Sequence, residues 1–178
     1  ELPMYFTTVI CDNKIANNRR LPSKSLLKKF AAQEEYTMLS ALTTKKNIRT
    51  FSLSPENITG EKGKGGMCPL EKGTAANAAR DLGTGWKVNP YIIMQPGETA
   101  VLADVKGQGA VKHIWITDSA PDGRLLILRI WFDGQKNPAV ECPLSDFFCN
   151  ANYREYRQLS SLAVCYNPGK AMNCYWEM

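Results

Sequence analysis

Histidine is almost missing from this sequence: His113 is the only one among 178 residues. It lies in a strand-like run, residues 111–117, where a lone histidine is most often structural, with a catalytic role as the alternative. No Ser/His/Asp or Cys/His set can be built around one imidazole placed there. The six cysteines (Cys11, Cys68, Cys142, Cys149, Cys165 and Cys174) contain no CxxC pair, so neither a metal site nor a cofactor is expected. Cys142, Cys165 and Cys174 fall in strand-like runs, where reduced thiols act as small buried hydrophobes; disulfides are the alternative. Long apolar runs are missing too. Nothing approaches the roughly 18 residues needed to cross a bilayer, so no membrane partner is expected. The opening stretch, Glu1-Leu-Pro-Met-Tyr-Phe-Thr-Thr-Val-Ile10, has no basic n-region and no cleavage site, which leads to a cytoplasmic expectation.

A surplus of one charge is missing from most of the chain. The formal net charge is +5, but residues 1–50 hold nine Lys/Arg against four Asp/Glu, while residues 51–178 hold thirteen of each. The basic excess belongs to the leader alone. A nucleic-acid partner is therefore not expected of the body of the protein, and a salt-sensitive DNA interaction would have to reside in residues 1–50.

What is present divides at a glycine-rich stretch, Ser54-Pro-Glu-Asn-Ile-Thr-Gly-Glu-Lys-Gly-Lys-Gly-Gly-Met67. It has too little apolar content to bury itself, and its glycines suit turns and close backbone approach. Before it, residues 1–21 read as irregular. Residues 23–42 read as an amphipathic helix, with Leu26, Leu27, Phe30, Ala31, Met38, Leu39 and Leu42 on one stripe. Residues 1–50 thus form a basic helical leader, and residues 51–178 a separate β-rich unit. After the loop, residues 75–79 suggest a helical turn. Strands are then expected over 91–94, 99–105, 111–117, 125–132, 139–144, 160–166 and 171–178, punctuated by Gly, Pro, Asn and Asp. With no helical crossover among them, a parallel βαβ arrangement is excluded and an antiparallel jelly-roll sandwich is favoured. The final run ends on an apolar sheet edge, as though the chain continued.

Glu61-Lys-Gly-Lys-Gly-Gly66 lacks the GxxxxGK[ST] spacing of a phosphate loop. Carboxylates are the remaining chemical resource: Glu56, Glu61, Asp104, Asp133, Glu141, Asp146 and Glu177. Glycosidic cleavage usually takes two of them, one as acid and one as nucleophile or base. Asp146, ahead of two phenylalanines, reads either as half-buried or as a turn cap. Of the four tryptophans, Trp86 is set apart by Gly85 and Lys87 at a loop end near the glycine stretch, while Trp115, Trp131 and Trp176 read as core.

Several blocks carry a resemblance. Glu56-Asn-x-Thr-Gly-Glu-Lys-Gly-Lys-Gly-Gly-Met67, Arg80-Asp-Leu-Gly-x-Gly-Trp-Lys-Val88, His113-Ile-Trp-Ile-Thr117, Leu128-Arg-Ile-Trp-Phe-Asp-Gly134, Val140-Glu-Cys-Pro-Leu-x-Asp-Phe-Phe148 and Asn173-Cys-Tyr-Trp-Glu-Met178 together resemble glycoside hydrolase family 172. The resemblance implies a double jelly roll assembled into trimers or larger closed homo-oligomers, acting on α-D-fructofuranosides, difructose dianhydrides or α-D-arabinofuranosides. It covers the first jelly-roll half only, over residues 51–178. The family's two catalytic glutamates belong to Trp-Trp-Gly-Glu-like and Gly-Thr-Glu-Asp-Tyr-Phe-like blocks of the second half, and neither occurs here. No catalytic residue is carried over, and the chain alone is expected to be inactive. Glu56, Asn57, Lys62 and Trp86 are the expected contacts to a furanoside-containing oligosaccharide: an aromatic face to stack, and polar groups to accept and donate. The alternative from another class is a non-enzymatic carbohydrate-binding or structural jelly-roll module.

Overall fold

The computed structural model describes residues 2–12, 49–79, 81–151 and 157–178. Nine strands are found among them: β1 (Leu2–Asp12), β2 (Arg49–Leu53), β3 (Tyr91–Met94), β4 (Gly109–Asp118), β5 (Ile127–Ile130), β6 (Val140–Pro143), β7 (Leu159–Ser160), β8 (Val164–Asn167) and β9 (Ala171–Cys174). Among the described residues helix is confined to two single turns, α1 (Ala76–Ala79) and α2 (Leu144–Phe147), and two short 3₁₀ segments. The protein is mainly β, and every ladder between named strands is antiparallel. The predicted helix over 23–42 lies outside the described residues.

The main correction concerns the start of the chain. Residues 2–12, expected to be irregular, form β1, the longest strand described and an interior strand of the large sheet. Its composition explains this: Tyr5, Phe6, Thr7, Thr8, Val9 and Ile10 are aromatic or β-branched, the types that fit a pleated surface. Pro3 sits near the strand start, where a missing N–H costs least. One edge of β1 takes β3 at residues 2–5 and β2 at residues 8–12. Its other edge pairs with β4, with a register shift between Val9 and Ile10 that leaves Lys112 as the extra residue. The sheet runs β2-β1-β4-β9-β8-β7, with β3 beside β2 on β1.

Alternation along β4 sets the core. Ile114, Ile116 and Asp118 are buried on one face, aligned with Met172 and Cys174 of β9 and Val164 and Tyr166 of β8. Leu144 and Phe148, at the two ends of α2, complete this cluster, and Phe148 is fully buried. Across the core stands a separate two-stranded sheet, β5-β6, whose Leu126 side and Leu128 pack against the same cluster.

Four expected strands are shorter or missing. Residues 99–105 form none: Val101 and Val105 are exposed, and no sheet edge pairs with this stretch. The run 125–132 begins later, because the Asp122 side chain accepts from the Arg124 N–H and caps a 3₁₀ turn over Gly123–Leu125. The run 160–166 is interrupted where the Ser161 hydroxyl bonds the backbone of Val164. The run 171–178 leaves regular pairing after Cys174, although Met178 exchanges backbone hydrogen bonds with Val111.

Candidate functional site

Residues 54–90 form a layer with little regular structure, built by hydrogen bonds. The glycine stretch is a chain of turns. Ser54 and Asn57 exchange backbone bonds at 3.2 and 2.9 Å, Lys64 N donates to Glu61 O, and Met67 N donates to Lys64 O. Asn57 closes the loop with its side chain, Oδ1 accepting from Glu61 N at 3.1 Å and Nδ2 donating to Glu61 O at 3.0 Å. Gly60 has φ +69° and lies against the Phe51 ring, where a Cβ would fall 2.5 Å from Cδ2. No side chain fits there without displacing that ring.

The far end of the loop meets the segment that carries Trp86. Gly85 N donates to Gly66 O at 3.1 Å. Gly66 has φ +71°, and a Cβ on it would stand 2.9 Å from Gly85 O, so the two backbones touch directly. The expectation that Trp86 ends a loop near the glycine stretch is met, and the residue is 56% exposed. Ile58, Met67 and Leu82 of the same layer are also exposed.

Asn89 is the centre of this layer and was not anticipated. Its backbone N–H donates to Glu56 Oε1 at 2.5 Å, and its Nδ2 donates to Pro55 O at 3.1 Å. Its Oδ1 accepts from Thr74 N and Thr74 Oγ1 at 3.2 and 3.1 Å. Thr74 is tied in turn to Tyr91, whose hydroxyl donates to Thr74 O. One asparagine therefore holds the start of the glycine loop, the turn before α1 and the entry to β3. The available signal was an Asn-Pro pair between two loop stretches, a turn mark that does not announce a hub.

The four expected contacts thus separate. Glu56 is tied to the Asn89 N–H by a charge-assisted bond, and Trp86 follows Gly85, whose N–H donates to Gly66 O. Asn57 spends its amide on the loop itself. Lys62 is exposed in the Glu61–Lys64 turn, and no described hydrogen bond links it to the other three.

The other carboxylates are dispersed. Asp146 is half-buried and pairs with Arg124 at 3.2 Å, Glu141 pairs with Arg129 at 2.6 Å, and Glu177 pairs with Lys112. Asp118, buried at the end of β4, accepts from Ala120 N and lies 3.6 Å from Lys170 Nζ. Each of these four carboxylates lies beside its own cation, the pattern of a structural ion pair. His113 is packed within the sheet: Tyr175 stacks on it at 4.7 Å, and its Nε2 lies 3.1 Å from Asn173 Oδ1. Cys68, Cys142, Cys149, Cys165 and Cys174 are free thiols. Burial pushes the Cys174 thiol up, as does nearby Cys149, against a lowering backbone bond from Trp176. Burial and then the Asp146 charge push Cys142 up. Trp131 and Trp176, read as core, are exposed. Among the described residues no His/Cys/Asp/Glu group could hold a metal ion, and no helix is long and apolar enough to cross a membrane.

An antiparallel β scaffold with a polar, glycine-rich layer laid over one part of it is the class of protein these observations define. The family model described as GH172 domain-like matches residues 87–178, more than half of the chain, and the chain belongs to that family. The match takes in the blocks at 113–117, 128–134, 140–148 and 173–178. It begins after Trp86, so Glu56, Asn57, Lys62 and Trp86 all precede it. No curated protein matches the chain.

Proposed function

We propose that this chain is the first jelly-roll half of a glycoside hydrolase acting on α-D-fructofuranosides or α-D-arabinofuranosides, and that it works within a closed homo-oligomer. The family match carries the reading, and it bears on the scaffold. The layer over residues 54–90 supplies the sugar-facing surface of this proposal. Trp86 offers an exposed indole face for a furanose ring. Glu56, fixed through Oε1 on the Asn89 N–H, offers a preorganised acceptor to sugar hydroxyls.

In this proposal the acid–base pair lies in the second half. Asp146, Glu141 and Glu177 are each committed to a different cation, and neither glutamate-bearing block of the second half occurs in the sequence. The chain alone therefore binds without cleaving. Incubation with an aryl α-D-fructofuranoside or aryl α-D-arabinofuranoside is expected to release no aglycone above the buffer rate. Robust turnover by the purified chain would overturn the assignment of catalysis to the other half.

A further inference from the structure

Two free thiols come together where α2 ends on the core. Cys174 closes β9 between Ile114 of β4 and Val164 of β8, is fully buried, and shares one apolar cluster with Phe148. Cys149 follows Phe148 directly and is exposed. Its place is fixed on both sides: the Cys149 N–H donates to Asp146 O at 2.9 Å, and the Asn150 N–H donates to Ser145 O at 2.8 Å. The backbone at Cys149 has φ +62°, a left-handed conformation that costs a residue with a side chain and often marks a functional position. The two sulfurs lie within electrostatic reach of each other. After burial, the Cys149 charge pushes the Cys174 thiol up, against the Trp176 N–H that lowers it. Cys142, by contrast, is pushed up by burial and Asp146, with no thiol involved. An accessible thiol backed by a buried one is the arrangement of a redox pair, in which the outer sulfur meets the oxidant and the inner one resolves it.

We propose that exposed Cys149 and buried Cys174 form a reversible disulfide that staples the end of α2 to β9 when the protein meets hydrogen peroxide. The Cys149 thiolate attacks one peroxide oxygen, the O–O bond breaks, and Cys149 sulfenic acid forms. The departing hydroxide takes a proton and leaves as water. The Cys174 sulfur then attacks the sulfenic sulfur, its proton goes to the second departing hydroxide, and the S–S bond closes with release of a second water. Two thiols thus give two electrons to one peroxide, and a dithiol reductant restores them by exchange. The consequence is mechanical. α2 follows β6 without a break, and no ladder between named strands joins the β5-β6 sheet to the large one. The staple adds a covalent link across a core that side-chain packing holds together. It also removes loop freedom from the unfolded chain between residues 149 and 174. The pair lies outside residues 54–90 and stands independently of the sugar reading.

Peptide mapping after mild oxidation tests the pairing. The reduced full chain is treated with stoichiometric hydrogen peroxide, capped with iodoacetamide and digested with trypsin without reductant. A peptide pair joined through Cys149 and Cys174 is expected, absent from the untreated chain and lost on adding dithiothreitol. The oxidised chain is expected to unfold in urea about tenfold more slowly than the reduced one, and to return to the reduced rate with dithiothreitol. Cys149→Ser, at an exposed position, is expected to keep the unfolding rate of the reduced chain and to lose the response to peroxide. Cys149 that accumulates as sulfinic acid while Cys174 stays a thiol would overturn the proposal. So would Cys149 joined to any other cysteine, or a peroxide effect on unfolding that survives in Cys149→Ser.

Discussion

Two regions of this molecule are held by different forces. The sheet formed by β1, β4, β9 and β8 is held by burial: Ile114, Ile116, Val164, Tyr166, Met172 and Cys174 close on Phe148 and Leu144 from α2. The layer over residues 54–90 has few buried side chains beyond Pro55 and Val88, and rests on hydrogen bonds that converge on Asn89. Burial is non-directional and shared among many contacts, so a loss at one core position is felt as global stability. A hydrogen-bonded hub is directional, and its loss releases several segments at once. The first arrangement suits a scaffold and the second suits a surface that must present particular atoms.

The largest effect that separates the two regions is expected in the core. Phe148→Ala removes a fully buried ring and should lower global stability by about 3–5 kcal/mol, read by urea denaturation. Asn89→Ala strips Thr74 of its acceptor and Pro55 of its donor, and should cost about 1–3 kcal/mol. Its signature is regional: hydrogen exchange should rise across residues 54–76 and stay unchanged in β4 and β9. If exchange rose equally in both regions, the separation drawn here would fail. Gly66→Ala forces φ +71° on a side chain whose Cβ stands 2.9 Å from Gly85 O. It should change the emission of Trp86 with little loss of global stability.

The smallest effect concerns the thiols. Cys149 is exposed and Cys174 is buried with its thiol pushed up, so iodoacetamide should label Cys149 well before Cys174 in the native chain. The sign with pH follows from the same shift. Above the ordinary thiol range an unfolded Cys174 ionises while the folded one does not. The folded state therefore loses stability relative to the unfolded as pH rises through that range, and below it the group contributes nothing variable. Equal labelling rates at Cys149 and Cys174 would contradict the placement of Cys174 in the core.

Much of the sheet was legible because apolar alternation and turn residues are local signals. Residues 91–94, 111–117 and 139–144 were read nearly as they stand, and the single helical turn at Ala76–Ala79 was found in its alanine run. β1 is composed of strand-forming residues at its centre, but composition alone does not place it in a sheet. Its place inside the sheet depends on partners at residues 49–53, 91–94 and 109–118, which no local pattern reveals. Residues 99–105 show the opposite failure, a strand-like composition with no edge to join. At the site, glycine content marked the loop and its neighbours marked Trp86. Asn89 was invisible because its role is the sum of contacts to residues 15 to 34 positions away. Trp131 and Trp176, read as core, are exposed for a related reason: sequence gives the apolar content and not what lies on either side of it.

The proposal that residues 54–90 present a furanoside-binding surface is tested most directly by following the Trp86 indole N–H resonance, assigned with Trp86→Phe, as aryl α-D-fructofuranoside or aryl α-D-arabinofuranoside is added. A saturable shift confined to Trp86 and its neighbours in residues 54–90, abolished by Trp86→Ala, is the predicted result. An unchanged resonance at millimolar sugar, or an identical response from the Trp86→Ala chain, would contradict it.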